Sequence, residues 1–216
     1  MFDTLLFDLD GTLTDPKVGI TRCVQYALRA GGIEVSDPDT LCCFIGPPLK
    51  EQFMAYTGWN EAQATAAIGH YRERFGTVGW RENRVYDGIP ALLQALLDSG
   101  RRLAVATSKP TVYSERILRH FRLAPYFEVI CGSELNGHRT DKGEVIEETL
   151  RLLSVTDRSH VLMIGDREHD VRGAARCGLP CIGVGYGYAA PGELEAAGAL
   201  AVVPTVEALK ARLLSL

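Results

Sequence analysis

The 216-residue chain has no basic run, no apolar stretch near the ~18 residues of a membrane span, no internal repeat and no low-complexity segment. Its net charge is only −4, so nothing in the composition points to a nucleic-acid polymer or a membrane surface as partner. The opening Met-Phe-Asp-Thr lacks the basic segment and apolar core of a secretory leader, and the expectation is a cytoplasmic protein. Six cysteines, at 23, 42, 43, 131, 177 and 181, form no CxxC pair and no zinc spacing. Several lie inside apolar runs and read as small buried hydrophobes in a reducing compartment. The stretch from Gly183 to Tyr188 has two of the glycines of GxGxxG but a tyrosine in place of the last, so a dinucleotide fingerprint is only partly matched. An apolar fraction of 46% over this length suits one α/β domain carrying an insertion.

Against these absences stands Thr4-Leu5-Leu6-Phe7-Asp8-Leu9-Asp10-Gly11-Thr12. A short apolar run closed by glycine reads as a strand buried on both faces. It delivers Asp8 and Asp10 to its carboxyl end, where open α/β sheets bind ligands, with both side chains pointing the same way. Two acids so placed repel and are expensive to bury unpaired, which calls for a cation. The alternative is a turn in which the acids merely cap and Gly11 supplies positive φ.

Residues 15–83 hold no convincing strand. Helical spacing appears at Ile20, Val24, Ala27 and Leu28, again around Leu49, Phe53 and Tyr56, and from about 60 to 75, with Gly31-Gly32, Asp37-Pro38, Gly46-Pro47-Pro48 and Gly58 as breakers. An insertion directly after the first strand is expected to stand over the carboxyl edge of the sheet as a lid. From about residue 84 helices and strands alternate. Strands are expected at 103–107, 127–131, 161–164, 181–184 and 200–203, with helices at 89–97, 111–122, 142–153 and 168–177 and a last one after 203. The fold class is therefore α/β, a doubly wound parallel sheet, with 1–14 and 84–216 as core and 15–83 as an inserted helical cap.

Each later strand end contributes something. In Thr107-Ser108-Lys109-Pro110 the proline suits the first turn of the following helix, with Thr107 and Ser108 at its phosphate-attracting end, or simply as its N-cap. Lys142 at a helix start opposes the macrodipole, so either it is solvated or it has another task. In Ile164-Gly165-Asp166-Arg167-Glu168-His169-Asp170, Asp166 stands at a strand end and Asp170 within reach if the turn folds back. Oxygen ligands without cysteine or histidine suit Mg²⁺.

Together these stretches resemble the haloacid dehalogenase superfamily of phosphotransferases. Asp8-Leu9-Asp10-Gly11-Thr12-Leu13 is similar to its first motif, Thr107 and Ser108 to its second, Lys142 to its third and Gly165-Asp166-x-x-x-Asp170 to its fourth. The resemblance implies Asp8 as nucleophile and Asp10 as general acid/base. It implies Thr107, Ser108 and Lys142 as phosphate ligands, and Mg²⁺ held by Asp8, the Asp10 carbonyl and Asp166, with Asp170 binding directly or through water. Asp10 to Asp15, Phe44 to Leu49 and Gly165 to Val171 resemble the branch of bacterial 5′-nucleotidases and phosphoglycolate-phosphatase-like enzymes. Lys142 is followed by Gly143, where many phosphoglycolate phosphatases have proline.

The expected activity is Mg²⁺-dependent hydrolysis of small phosphate esters through an aspartyl-phosphate, with nucleoside 5′-monophosphates favoured. The alternatives are a phosphoglycolate phosphatase, then a phosphomutase or a non-catalytic phosphate-binding regulator. Gly46 and Lys50 in the insertion are the candidate substrate contacts, and a solvated Lys50 is the competing reading. The oligomeric state is left open.

Overall fold

In the computed structural model, which describes residues 2–216, the chain divides into two compact units: Met1–Asp15 with Val85–Leu216, and Pro16–Arg84. The first opens on β1 (Thr4–Phe7) and β2 (Thr14–Asp15). The second contains α1 (Lys17–Ala30), α2 (Leu49–Thr57) and α3 (Glu61–Thr77). The chain returns through β3 (Arg84–Val85) to α4 (Ile89–Asp98), β4 (Arg102–Pro110), α5 (Thr111–His120), β5 (Val129–Ser133) and α6 (Lys142–Leu152). It ends with β6 (Val161–Gly165), α7 (Glu168–Arg176), β7 (Cys181–Val184), α8 (Glu193–Ala196), β8 (Ala201–Val203) and α9 (Val206–Ser215).

The six-stranded sheet has the order β5-β4-β1-β6-β7-β8, with every adjacent pair parallel. From β1 the chain winds outward through β4 and β5, then crosses back to begin the other half at β6, so the order reverses beside β1. That reversal opens a crevice at the carboxyl ends of the central strands. Leu5, Leu6 and Phe7 are at most 1% exposed, as a strand covered on both faces requires. On one face Leu6, Ala104, Ala106 and Met163 pack against Val145, Ile146 and Leu150 of α6 and Val171 and Ala174 of α7. This packing fixes the two helices whose first turns carry Lys142 and Asp170.

The doubly wound parallel sheet expected from the sequence is the one observed. One local expectation is corrected. Pro110 is the last residue of β4 and the N-cap of α5, outside that helix's first turn, because β4 pairs with β5 as far as Pro110↔Ser133 after a register shift beyond Ala106. Thr107 and Ser108 therefore lie in extended strand, one turn short of any helix end.

In the helical unit Ile20, Val24, Ala27 and Leu28 form the buried stripe of α1. The Asn60 carboxamide oxygen accepts from the Gln63 N–H and the Gln63 side chain accepts from the Asn60 N–H, which caps α3. Its aromatic residues largely pack on one another: Phe44 on Phe53 at 4.9 Å and Tyr71 stacked on Phe75 at 5.5 Å between ring centroids. Among the described residues no helix is long and apolar enough to cross a membrane.

Candidate active site

β1 ends at Phe7, and the chain then makes a tight turn. The Gly11 N–H donates to the Thr14 carbonyl (2.7 Å), and the Leu13 and Thr14 N–H groups donate to the Leu9 carbonyl (2.9 and 3.0 Å). Gly11 is left-handed, φ 85°, and a Cβ there would lie 2.1 Å from Asp166 Oδ2. Both conformation and space demand glycine. Asp8 itself is held by its N–H, which donates to the Ile164 carbonyl of β6 (2.9 Å).

Three carboxylates, Asp8, Asp166 and Asp170, place oxygens within 4.8 Å of one another, and all three residues are buried. Asp166 follows β6 and is completely enclosed. Its Oδ2 accepts from the Tyr188 N–H (2.8 Å), and Thr12 Oγ1 donates to its Oδ1 at the long distance of 3.5 Å. Asp170 lies in the first turn of α7, where its Oδ2 accepts from the Arg167 N–H (3.0 Å). The turn after β6 does fold back.

Lys142 is the first residue of α6, whose N-cap Asp141 accepts from the Gly143 and Glu144 N–H groups. The donor that Gly143 supplies is one a proline would lack. The Lys142 side chain runs inward: Nζ donates to Asp8 Oδ1 (2.7 Å) and to the Ala106 carbonyl (3.1 Å), and stands 2.8 Å from Asp170 Oδ1. Burial works against its ammonium, but Asp170 and Asp8 outweigh it and hold the pKa above the ordinary lysine value. This is a task other than solvation for a lysine placed against the helix dipole.

The acids are under opposite pressure. Burial raises the Asp166 carboxyl well above the usual range, the charges of Asp170 and Asp8 add to it, and the Tyr188 N–H offsets only part. Burial also raises Asp170, against the pull of Lys142. Three clustered carboxylates facing one lysine leave uncompensated negative charge. An all-oxygen donor set of this kind fits a hard divalent cation such as Mg²⁺.

Asp10 takes no part in that cluster through its side chain. Its carboxylate pairs with Lys109 Nζ, a residue to which the sequence reading gave no role. Burial raises the Asp10 pKa and Lys109 opposes the rise. Thr107 is buried, and its Oγ1 accepts from the Lys109 N–H (3.3 Å). Ser108 is tied in through its carbonyl, which accepts from Ser133 Oγ (2.7 Å). The one signal for Lys109 was its place directly after Thr107 and Ser108 at the carboxyl end of a strand; its side could not be read from alternation, because the register shifts between Ala106 and Pro110.

The glycine-rich stretch that ends β7 and follows it also supports the site. Gly187 passes so close that a Cβ would lie 2.3 Å from Asp166 Cβ and 2.6 Å from the Gly11 carbonyl. Tyr186 Oη donates to the Thr12 carbonyl (3.0 Å), and Tyr188 Oη donates to Asp15 Oδ1. The loop therefore braces both Asp166 and the turn after β1. Gly46 and Lys50 lie in the helical unit. Gly46 takes a left-handed φ of 105° before α2, and Lys50 Nζ pairs with Glu61 Oε2 at 2.9 Å on the surface.

Residues 5–184 match the family described as haloacid dehalogenase-like hydrolase. The chain is 53% identical over 195 residues to the 5′-nucleotidase of Pseudomonas aeruginosa, covering 90% of this chain and 88% of that one. It is 43% identical over 185 residues to the tyrosine-protein kinase PtkA of Mycobacterium tuberculosis, covering 85% of this chain but 62% of PtkA. Against the plasmid phosphoglycolate phosphatase of Cupriavidus necator the identity is 32% over 213 residues, with 97% and 92% covered. Among solved structures, one described as a predicted phosphatase from Clostridium acetobutylicum superposes with a TM-score of 0.96 at 49% identity, each chain fully covered.

Proposed function

The chain is a phosphatase of the haloacid dehalogenase-like hydrolase family, and we propose that it is a Mg²⁺-dependent phosphomonoesterase of the cytoplasm whose substrates are nucleoside 5′-monophosphates. The observation that carries the chemistry is the convergence of Asp8, Asp166, Asp170 and Lys142 at the ends of β1 and β6 and the starts of α6 and α7. The 53% identity to a 5′-nucleotidase, against 32% to a phosphoglycolate phosphatase, supports the substrate choice. The six free cysteines, four of them buried, are in keeping with a reducing compartment.

In this reading Asp8 attacks phosphorus in line, forming an aspartyl-phosphate as the ester P–O bond breaks. Asp10 gives its proton to the leaving alkoxide, then takes one from the water that displaces Asp8 from phosphorus. Lys142 holds Asp8 in place and offsets charge on the phosphoryl oxygens, while Thr107 and Ser108 supply hydroxyl donors to the same group. Asp8, the Asp10 carbonyl, Asp166 and Asp170 would hold Mg²⁺, which when bound offsets charge on the phosphoryl group. Gly46 and Lys50 are proposed as contacts for the remainder of the substrate.

The test is kcat/KM for UMP, IMP and 2-phosphoglycolate on one preparation, read as released phosphate. The reading expects the nucleotides to lead. A preference of about tenfold or more for 2-phosphoglycolate, roughly 1.4 kcal/mol, overturns the nucleotidase assignment and leaves the phosphatase standing. An added arm with ATP and a tyrosine-containing peptide probes the activity named for PtkA. Phosphate on the peptide without phosphate release from any ester overturns the hydrolase reading.

A further inference from the structure

Asp10 is anchored at one oxygen and makes no hydrogen bond through the other. Oδ2 pairs with Lys109 Nζ, the two side chains being 12% and 7% exposed, while Oδ1 is buried and has no hydrogen-bond partner among the described residues. The backbone that carries Asp10 is already fixed. The Gly11–Thr14 turn closes on itself, Tyr186 Oη donates to the Thr12 carbonyl, and Gly187 packs against Gly11. What freedom is left to the carboxylate lies in its own side-chain torsions. Lys142 is engaged by Asp8 and Asp170, and Lys109 by Asp10.

We propose that Lys109 is a positioning residue for Asp10: by holding Oδ2 it turns Oδ1 toward the atoms that exchange the proton. The proposal rests on the phosphatase reading above and adds to it a residue acting on the proton transfer alone. In the first step Oδ1 releases its proton to the leaving oxygen as the ester bond breaks and the Asp8–phosphorus bond forms. In the second it accepts a proton from water as the new water–phosphorus bond forms and the bond to Asp8 breaks. Misplacing a reacting group by about 1 Å costs on the order of 10²-fold in rate. A carboxylate released to rotate therefore loses most on substrates that need the proton.

The experiment is a cycle of wild type, Lys109→Met, Asp10→Asn and the double variant, each measured in single-turnover phosphorylation with an alkyl phosphate and with p-nitrophenyl phosphate. Lys109→Met is expected to slow the alkyl ester by about tenfold or more at a KM within about twofold, and the aryl ester far less. In the Asp10→Asn background the same change is expected to add nothing, and Lys109→Arg to recover part of the loss. Equal slowing of both esters, a full additional loss in the double variant, or an alkyl rate within about twofold of wild type each overturns the proposal. Should Lys109→Met fail to fold, Lys109→Gln runs the same cycle with the same readings. Wild-type turnover with an additive cycle defeats the positioning role alone, whereas no wild-type turnover of any ester defeats the phosphatase reading and the proposal with it.

Discussion

Lys142 Nζ stands 2.7 Å from Asp8 Oδ1, with the two side chains 4% and 10% exposed. A second acid, Asp170, meets the same ammonium at 2.8 Å. One lysine thus steadies the group proposed as nucleophile and one of the groups proposed to hold the metal. Breaking a buried pair while leaving its partner charged costs about 3–5 kcal/mol. Lys142→Met is accordingly expected to lower the urea midpoint of the metal-free protein, as well as to remove turnover. Circular dichroism through a urea series checks it, and an unchanged midpoint would show that the pair does not stabilise the fold.

Asp10→Asn removes the group proposed as proton donor and leaves Asp8, the proposed nucleophile, in place. General acid–base catalysis contributes roughly 10²–10⁴-fold, most for a poor leaving group. Phosphorylation by an alkyl phosphate is expected to slow far more than phosphorylation by p-nitrophenyl phosphate. Rapid-quench measurement of both decides it, and equal losses contradict the role.

The three clustered carboxylates predict a strict need for a divalent cation. Chelation is expected to stop turnover and Mg²⁺ to restore it. Calorimetric titration is expected to show Mg²⁺ binding to wild type, weakened or lost in Asp166→Ala. Full activity in excess chelator rules the metal site out.

Gly187→Ala puts a methyl 2.3 Å from Asp166 Cβ and 2.6 Å from the Gly11 carbonyl, two groups with little room to give. Disturbing the support of a ligand typically costs 10–100-fold in metal affinity, and the Mg²⁺ concentration for half-maximal activity is expected to rise by about that factor. Gly185→Ala, where a Cβ meets nothing closer than 3.5 Å, is the control. Equal behaviour of the two variants refutes the bracing role of this loop.

Much of the fold was legible because buried parallel strands are continuous apolar runs and their carboxyl ends carry the acids. Thr4–Phe7 and Val161–Gly165 each deliver their aspartate to the crevice directly from sequence order. Lys109 was missed because the end of β4 depends on pairing with Ser133 of β5, a long-range contact that local sequence does not encode. Pro110 was read as the opening of a helix, which took Lys109 off the strand. The stretch from Gly183 to Tyr188, the end of β7 and the loop after it, partly matches a nucleotide fingerprint. Its glycine at 187 answers instead to the closeness of Asp166 and Gly11, a steric demand visible only once β6 and β7 lie side by side.

The central claim is that the phosphoryl group passes through Asp8. During turnover of a nucleoside 5′-monophosphate, acid quench followed by borohydride reduction converts an aspartyl-phosphate to homoserine, which peptide mass spectrometry can place. The account predicts homoserine at position 8 alone in wild type, and none in an Asp8→Asn variant that is folded and inactive. Reduction at any other residue, or turnover by Asp8→Asn beyond a few per cent of wild type after deamidation is controlled, would contradict it.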